Sequence, residues 1–425
     1  MLPVRAWLSN ARVEAWCREA QYRWRTRVFD PVVTLTACVF KQLAPGRSAR
    51  HIEDWVDGLA DGEGGGDGND FCRARARLPE SIFERALAHT GAQAQAAIAR
   101  WRGWHVVLVD GTTLRAPRTK SNIEGFGRSE SGNGKSVLPI VRMVLAVCAF
   151  TGAVLAQRLG AYVDGELRMF YTLLEQLAPG TLLIGDGAYN SYLFLWRVRS
   201  AGGHVLAPQD PTRRSRCVRR FAKHDALHEW IRPPVAASAF PDELSRAPER
   251  QTVRVITRVL RRKGYRPWEL VLCTTLDDPE RYPADELVEH YLRRWGLEVH
   301  FRSLKEHLGL ARLTAQTPSV IRKEILSGLL AFNVIRLAAA QSGGPVERIS
   351  FERTRELLAD FSARMSTAAT GRLPKLQRQM LALIAQAIAQ RQNRPPEPRA
   401  VLKHRSCYPF LRISRATWRN RHSCA

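Results

Sequence analysis

The sequence predicts an α/β fold in which a mixed sheet is flanked by helices, with further helical regions at both ends of the chain. From Trp104 to Ala207, three consecutive strand patterns are followed by helix, strand, helix and strand. The first 60 residues and the segment beyond residue 320 carry helical patterns instead. Residues 208–280 break the central order with two more strand patterns around the turn Lys263–Gly264, which indicates a β-rich insertion.

Short apolar runs rich in β-branched residues define the predicted strands. His105–Val109 ends at Asp110, and the next two strands form a hairpin around the turn Thr151–Gly152. A long helix is predicted to begin at Pro283 and to reach about Leu308. The other predicted elements are the strands Leu138–Phe150, Ala153–Leu159, Thr181–Ile184, His204–Ala207, Val253–Leu260 and Trp268–Leu276, and the helices Glu166–Leu177, Ser191–Ser200, Ile325–Ala340 and Leu376–Gln390.

Three regions follow from this order of elements. We expect a helical N-terminal region at 1–95, a domain containing the sheet at 100–340 with the insertion at about 208–280, and a helical, basic C-terminal region at 341–425. In the first region, the apolar stretch Val32–Leu43 and a helix capped by Ser48 flank a tight turn. Such a pair is either a helix-turn-helix that contacts DNA or ordinary helical packing, and the sequence leaves both open.

Charge is the most unusual feature of the composition. The 425 residues include 65 Lys and Arg against 40 Asp and Glu, a formal net charge of +25. This excess predicts nucleic acid as the partner, ahead of an anionic membrane surface, because the cations are spread along the whole chain. No signal peptide or membrane span is predicted, and the eight cysteines form no C-x2-C pair. We therefore expect a cytoplasmic protein without membrane contact, associated with the nucleoid when it binds DNA.

Two aspartates are the first candidate site residues. Asp110 and Asp186 each end an apolar β-type run and are each followed by glycine. This places both carboxylates at the carboxyl ends of strands, where α/β sheets gather their active sites. Taken singly, each is also compatible with a structural Asp-Gly turn.

The predicted helix after Pro283 carries the other candidates. Tyr291, Arg294, Glu298 and Lys305 fall within roughly 60° of one another on a regular helix and so form one stripe. The alternative is an Arg–Glu ion pair on a solvated helix face.

Together, the three carboxylates fit one chemistry. Asp110, Asp186 and Glu298 can hold two Mg²⁺ ions about 3.5–4 Å apart, with Mn²⁺ as a substitute, and so promote attack on a phosphodiester. Oxygen ligands without His or Cys favour Mg²⁺ over zinc. Arg294 and Lys305 would then bind the phosphates that flank the scissile bond.

Three other features have competing interpretations. Asp164 and Glu166 form a rival carboxylate pair, but their position before a helix is more typical of a helix cap. The basic segment from Arg213 to Lys223 either follows a DNA backbone or forms a solvated face, and the same choice applies to the basic tail after Gln390.

The spacing Y-x2-R-x3-E-x6-K, formed by Tyr291, Arg294, Glu298 and Lys305, resembles the signature of bacterial insertion-sequence DDE transposases of the insertion-sequence-four group. The resemblance includes Val109–Thr112 and Gly185–Tyr189 around the two aspartates. It also includes Pro139–Arg142 before an apolar strand, and the N-terminal block Cys72–Pro79.

The resemblance implies an RNase H-like catalytic core with a β-rich insertion, and cut-and-paste movement of a mobile element by DNA hydrolysis and strand transfer. It implies a homodimer that brings two double-stranded element ends together in a synaptic complex and joins them to target DNA. Tyr291, Arg294 and Lys305 would contact DNA, and Arg142 is a further candidate. Trp268, which lies in the insertion, is either an additional DNA contact or a core residue.

Two other functions stay open at this level. One is a repurposed or decayed transposase that binds DNA as a regulator, and the other is a metal-dependent nuclease without strand transfer. Retention of all three carboxylates favours an active enzyme. At two positions where the family commonly has a basic residue, this chain has Ala188 and Ala207.

Overall fold

The structure is a computed structural model that describes residues 7–25, 28–44, 46–57, 68–131, 134–135, 137–210, 212–261, 267–390, 413–414 and 417. The chain divides into two compact units. The larger comprises residues 1–256 and 272–389, and the smaller comprises 257–271 and 390–425. The larger unit contains the helices and most of the sheet.

Five helices precede the sheet: α1 (Asn10–Glu19), α2 (Pro31–Leu43), α3 (Ala49–Asp57), α4 (Asn69–Arg77) and α5 (Glu80–Ala96). The predicted N-cap of α3 is present, because the Oγ of Ser48 accepts a 3.1 Å hydrogen bond from the N–H of His51. The rings of Phe40 and Trp55 stack with centroids 4.1 Å apart and join α2 to α3. Most of α2 is buried, so this pair packs into the core, and a DNA contact by it stays a prediction.

The strands are β1 (His105–Arg115), β2 (Glu130–Ser131), β3 (Gly134–Lys135), β4 (Ile140–Cys148), β5 (Val154–Ala161), β6 (Thr181–Ile184), β7 (His204–Pro208), β8 (Arg216–Ala222), β9 (Asp225–Ile231), β10 (Arg250–Leu260) and β11 (Trp268–Thr274). Nine of them form one sheet in the order β5-β4-β1-β6-β7-β11-β10-β9-β8. β5, β4 and β1 are antiparallel neighbours, whereas β1, β6 and β7 are parallel. Three antiparallel strands followed by two parallel ones is the order of the RNase H-like fold, which confirms the predicted fold class.

The remaining helices are α6 (Lys120–Phe126), α7 (Glu166–Leu174), α8 (Tyr192–Ser200), α9 (Pro241–Arg246), α10 (Ala284–Leu292), α11 (Gly296–Arg302), α12 (Pro318–Gln341), α13 (Phe351–Ser366) and α14 (Leu373–Gln386). α7 and α8 pack on the sheet through a cluster that includes Val107, Val144, Phe170 and Phe194. These apolar contacts supply most of the stabilisation on that face.

Helix α12 is the central helix of the larger unit. By length and composition it could cross a membrane, but 89% of its most apolar window is buried inside the protein. Its Asn333 is fully buried and connects α5 to β5, since its side chain bonds to both backbone groups of Val154, to the carbonyl of Leu87 and to the Oγ1 of Thr90. α12 is therefore a core helix.

The predicted helix from Pro283 to about Leu308 is confirmed in its bounds, because helical structure is continuous from Ala284 to His307. It is not regular: α10 leads into a 3-10 turn at Arg293–Trp295, then α11, then a π-helical turn at Ser303–His307. The insertion also contains two strands that were not predicted, β8 and β9, and β8 is formed by the basic segment.

Candidate active site

Strand β1 extends beyond the end of its parallel neighbour β6. Their pairing ends with Leu108 opposite Ile184, whereas the antiparallel pairing with β4 continues through Asp110, opposite Leu145, to Arg115. The prediction that the strand ends at Asp110 is therefore wrong, because β4 supplies backbone partners after β6 has ended. Asp110 nevertheless lies just past the carboxyl end of β6, the edge at which parallel sheets collect functional side chains.

Asp186 lies at the same edge, two residues after the end of β6. It is the N-cap of the 3-10 turn Gly187–Tyr189, and its Oδ1 accepts a 2.8 Å hydrogen bond from the N–H of Ala188. The Oδ1 of Asp110 likewise accepts a 2.8 Å hydrogen bond from the N–H of Gly111. Backbone donors thus orient both carboxylates.

The two aspartates are close enough for their negative charges to interact. The pKa of Asp110 is raised to about 6, chiefly by burial and additionally by the negative charges of Asp186 and Glu166. The N–H of Gly111 and the guanidinium of Arg294 act in the opposite direction. A partly buried carboxylate beside two like charges is a place where a cation would be stabilised.

Glu166 is a third carboxylate near the two aspartates, and the sequence did not indicate that it would lie there. Its Oε1 accepts a 2.6 Å hydrogen bond from the hydroxyl of Tyr189, three residues after Asp186. The interpretation of Glu166 as a helix cap is wrong, because the N-cap of α7 is Gly165 and no side chain caps that helix end. Its position at the start of the helix after β5 was the available signal, since that helix begins at the same edge of the sheet.

Two cations of the predicted stripe reach β1. The Nη1 of Arg294 lies 3.9 Å from the Oδ2 of Asp110, and the Nζ of Lys305 donates a 2.7 Å hydrogen bond to the Oγ1 of Thr112. Asp110 and Thr112 are two residues apart and therefore share a face of the strand. Tyr291 is only 6% exposed, and the guanidinium of Arg294 lies 5.8 Å from its ring centroid.

Glu298 lies on α11, which packs against β1, and its side chain is exposed. The ion pair between this helical segment and Asp110 is made by Arg294, one turn before Glu298. Within the part of the chain that the structure describes, no group of three His, Cys, Asp or Glu side chains could hold a metal ion. The structure thus brings Asp110 and Asp186 together and leaves Glu298 on a neighbouring helix.

Residues 102–334 match the family model of the transposase DDE domain, a span of more than half the chain that includes all three predicted carboxylates. The chain belongs to this family of DDE transposases. It is similar to the transposase InsG for insertion sequence element IS4 of Escherichia coli (strain K12), with 25% identity over 322 residues that cover 73% of this chain and 71% of the relative. Among solved structures it is similar to the piggyBac transposase synaptic complex with hairpin DNA, at 9% identity and a TM-score of 0.39 over 90% of this chain and 84% of that chain. The fold assignment depends on the strand order and not on this distant likeness.

In this transposase Arg142 lies away from the aspartates. It is paired with Thr113 across β1 and β4, so it is on the face of the sheet opposite to Asp110. Its Nη2 donates a 3.2 Å hydrogen bond to the carbonyl of Tyr162, and its guanidinium lies 5.5 Å from that ring. A DNA contact by Arg142 stays a prediction.

The basic segment of the transposase forms β8, the edge strand of the sheet. Its arginines Arg216, Arg219 and Arg220 are exposed, and Arg216 forms an ion pair of 3.1 Å with Glu229. Both interpretations of this segment stay open. Trp268 is 41% exposed, so its interpretation as a core residue is wrong, and the basic tail after Gln390 lies almost entirely outside the described residues.

Proposed function

We propose that this transposase cuts double-stranded DNA at the ends of a mobile element and transfers the cut strands to target DNA, with Asp110, Asp186 and Glu298 as the ligands of two Mg²⁺ ions. The convergence of Asp110 and Asp186 where β6 ends carries the proposal. Mn²⁺ is expected to replace Mg²⁺, since both ions accept hard oxygen donors.

The donor set fits a divalent cation. Burial and the negative charges of Asp186 and Glu166 raise the pKa of Asp110, so a cation between the two aspartates would stabilise their ionised forms. When bound, two ions would activate the attacking water or 3′-hydroxyl and stabilise the leaving oxygen of the phosphodiester.

Glu298 is proposed as the third ligand because of its neighbours on the chain. Arg294 and Lys305, which precede and follow it, both contact one face of β1, so the helical segment between them is turned towards Asp110. The 3-10 and π-helical turns on either side of α11 give this segment irregular backbone, which is frequent at functional sites. We propose that Glu298 joins the aspartates when DNA and metal are bound.

The same cations would position DNA. The buried Nε of Arg294 has no hydrogen-bond acceptor within the described part of the chain, so a phosphate oxygen can supply one. The hydrogen bond to Thr112 holds Lys305 at the site, and the ring of Tyr291 packs against the guanidinium of Arg294. When DNA binds, Arg294 would release Asp110 and pair with a phosphate, so that the carboxylate of Asp110 becomes available to the metal.

As a DDE transposase the protein acts on DNA, and its charge of +25 fits that partner. We propose that it works as a homodimer in a synaptic complex and that it resides in the cytoplasm, at the nucleoid when bound. A second candidate function is a DNA-binding regulator, for which Ala188 and Ala207 at commonly basic positions of the family are the favouring observation.

The test is cleavage of a labelled DNA fragment that contains the end of the protein's own element, in Mg²⁺, Mn²⁺ or EDTA. Wild type is compared with Asp110→Asn and Glu298→Gln. Glu289→Gln is the matched control, because Glu289 is an exposed glutamate of the same helical segment that makes an ion pair with Arg293.

Metal-dependent nicking at the element boundary is expected for wild type and the control and not for the two site variants. Loss of at least 100-fold in rate is expected from removal of a metal ligand. Cleavage by Glu298→Gln at the wild-type rate would exclude Glu298 as a ligand. Tight, salt-sensitive binding without cleavage in any metal would establish the regulator instead.

A further inference from the structure

A buried tyrosine and a glutamate form a hydrogen-bonded pair behind the two aspartates. The hydroxyl of Tyr189 donates to the Oε1 of Glu166 at 2.6 Å. Tyr189 is fully buried, and its ring contacts those of Phe170 and Phe194 edge-on at 5.5 and 5.3 Å. A hydrogen bond from a buried hydroxyl to a carboxylate is stronger than one between neutral groups, so the pair is firmly held.

Each member of the pair occupies space next to one aspartate that only a glycine leaves open. A Cβ at Gly111, directly after Asp110, would lie 2.5 Å from the carboxyl carbon of Glu166. A Cβ at Gly185, directly before Asp186, would lie 2.7 Å from the ring of Tyr189. Real Cβ atoms essentially never show contacts this short, so a side chain at Gly111 would displace the carboxyl group of Glu166 and one at Gly185 would displace the ring of Tyr189.

These glycines are not explained by backbone conformation. Gly111 lies inside β1, and neither glycine has a positive φ, so other residues could adopt both conformations. A glycine in a strand interior is characteristic of a site that another group approaches closely. Here the approaching groups are the two members of one hydrogen bond.

We propose that Glu166 and Tyr189 are positioning residues that fasten the Asp110 segment of β1 to the turn carrying Asp186 and so set the spacing of the two metal-binding carboxylates. Glu166 reaches β1 at Gly111 from α7, and Tyr189 ends the 3-10 turn that Asp186 caps. Their hydrogen bond adds a side-chain link between these two segments, beyond the point at which the backbone pairing of β1 and β6 ends. The inference rests on the proposed function, because it assigns the pair to the metal site.

The alternative is that Glu166 acts through its charge, as an additional attraction for the cation. The two roles predict different variants to be defective. Positioning depends on the hydroxyl of Tyr189, which carries no charge. A purely electrostatic role depends on the Glu166 carboxylate alone and is unaffected when Tyr189 loses its hydroxyl.

The test measures Mn²⁺ binding to the full-length protein without DNA, from the electron paramagnetic resonance signal of free Mn²⁺. We compare wild type, Asp110→Asn, Tyr189→Phe, Glu166→Ala and Glu166→Gln. Tyr192→Phe is the matched control. It removes the hydroxyl of another tyrosine with a buried side chain, which also makes a 2.6 Å hydrogen bond, but to the carbonyl of Pro248.

Tyr189→Phe and Glu166→Ala are expected to weaken Mn²⁺ binding about 10-fold, as is typical when a partner of a metal ligand is removed. Tyr192→Phe is expected to match wild type, and Glu166→Gln to bind more tightly than Glu166→Ala because its amide oxygen still accepts from Tyr189. Thermal unfolding of each variant identifies any loss that comes from misfolding, and Glu166→Gln then serves as the folded comparison.

Wild-type affinity in Tyr189→Phe would overturn the positioning role. The positioning role would also be overturned if Glu166→Gln and Glu166→Ala bound Mn²⁺ equally weakly while Tyr189→Phe bound it normally. That result would assign the effect to the charge of Glu166. Failure of the proposed function has a different signature: wild type would then bind no Mn²⁺, or Asp110→Asn would bind as tightly as wild type.

Discussion

Addition of one methyl group at Gly111 is a sharp perturbation of the proposed site. In Gly111→Ala the new Cβ would lie 2.5 Å from the carboxyl carbon of Glu166. A normal contact is longer by about 1 Å, so either Glu166 withdraws or β1 moves. Withdrawal would break the hydrogen bond from Tyr189.

The magnitude follows from two opposing effects. Glu166 is a flexible side chain and can withdraw, but this leaves the hydroxyl of Tyr189 without its acceptor, at a cost of about 1–3 kcal/mol. Replacing glycine by alanine restricts the unfolded chain and stabilises the fold by about 0.4–1 kcal/mol. We expect a net loss of about 1–2 kcal/mol in the free energy of unfolding, measured in urea, and a loss of Mn²⁺ affinity of about 10-fold.

A double-mutant cycle isolates the contact. In a Glu166→Ala background the crowded carboxyl group is gone, so Gly111→Ala should be neutral or slightly stabilising, with a coupling energy of about 2 kcal/mol. Gly187→Ala is the control, because a Cβ at Gly187 meets nothing within 4 Å. The reasoning would be refuted if Gly111→Ala destabilised both backgrounds equally, or if it left wild-type stability and Mn²⁺ binding unchanged.

Three further predictions concern the core and the DNA contacts. Asn333→Ala should lower the free energy of unfolding in urea by about 3 kcal/mol, because it leaves buried backbone groups of Val154 without partners; an effect below 1 kcal/mol would contradict this. Burial and Arg293 lower the pKa of His290 to about 4, so only the unfolded chain takes up this proton between pH 6.5 and 4. The free energy of unfolding should therefore fall by up to about 3 kcal/mol as the pH drops through that window. The fall should be smaller in His290→Gln, which lacks the titrating imidazole. Lys305→Gln should weaken DNA binding and reduce, by about one, the slope of the logarithm of the binding constant against the logarithm of salt concentration. The matched control Lys375→Gln, on the exposed surface of α14, should change neither quantity.

Elements with strong local signals were predicted correctly from the sequence. β6 was predicted with its observed bounds, and the hairpin of β4 and β5 is present with Gly152 at positive φ in its turn. β8 was missed because three of its seven residues are arginines and all but one are exposed, and β9 because its apolar residues do not alternate regularly with polar ones. The two strands pair with each other as a hairpin in which Ala222 lies opposite Asp225, and β9 pairs in turn with β10.

The helical segment around Glu298 shows a different limit. Apolar periodicity there is strong, and helical structure covers all of Ala284–His307. The 3-10 turn and the π-helical turn within it change the hydrogen-bond pattern without changing the residue pattern, so they leave no signal in the sequence. Arg294 and Lys305 of the predicted stripe still reach one face of β1, whereas the side chain of Glu298 is exposed.

The candidate site was partly predictable for a related reason. Asp110 and Asp186 each follow an apolar run and could be found locally. The role of Glu166 depends on contacts with Tyr189 and Gly111, which are 23 and 55 residues away. The alternative of an Asp-Gly turn at Asp110 is wrong, because Gly111 lies within β1, where it makes room for a carboxylate.

The central claim is that three carboxylates share the metal ions, and anomalous scattering from Mn²⁺ tests it most directly. The measurement is a crystal structure of the full-length transposase with element-end DNA and Mn²⁺. We expect anomalous peaks ligated by Asp110, Asp186 and Glu298, with Arg294 moved from Asp110 to a phosphate. Peaks bound by the two aspartates with Glu298 still directed to solvent, or no peak at this edge of the sheet, would contradict it.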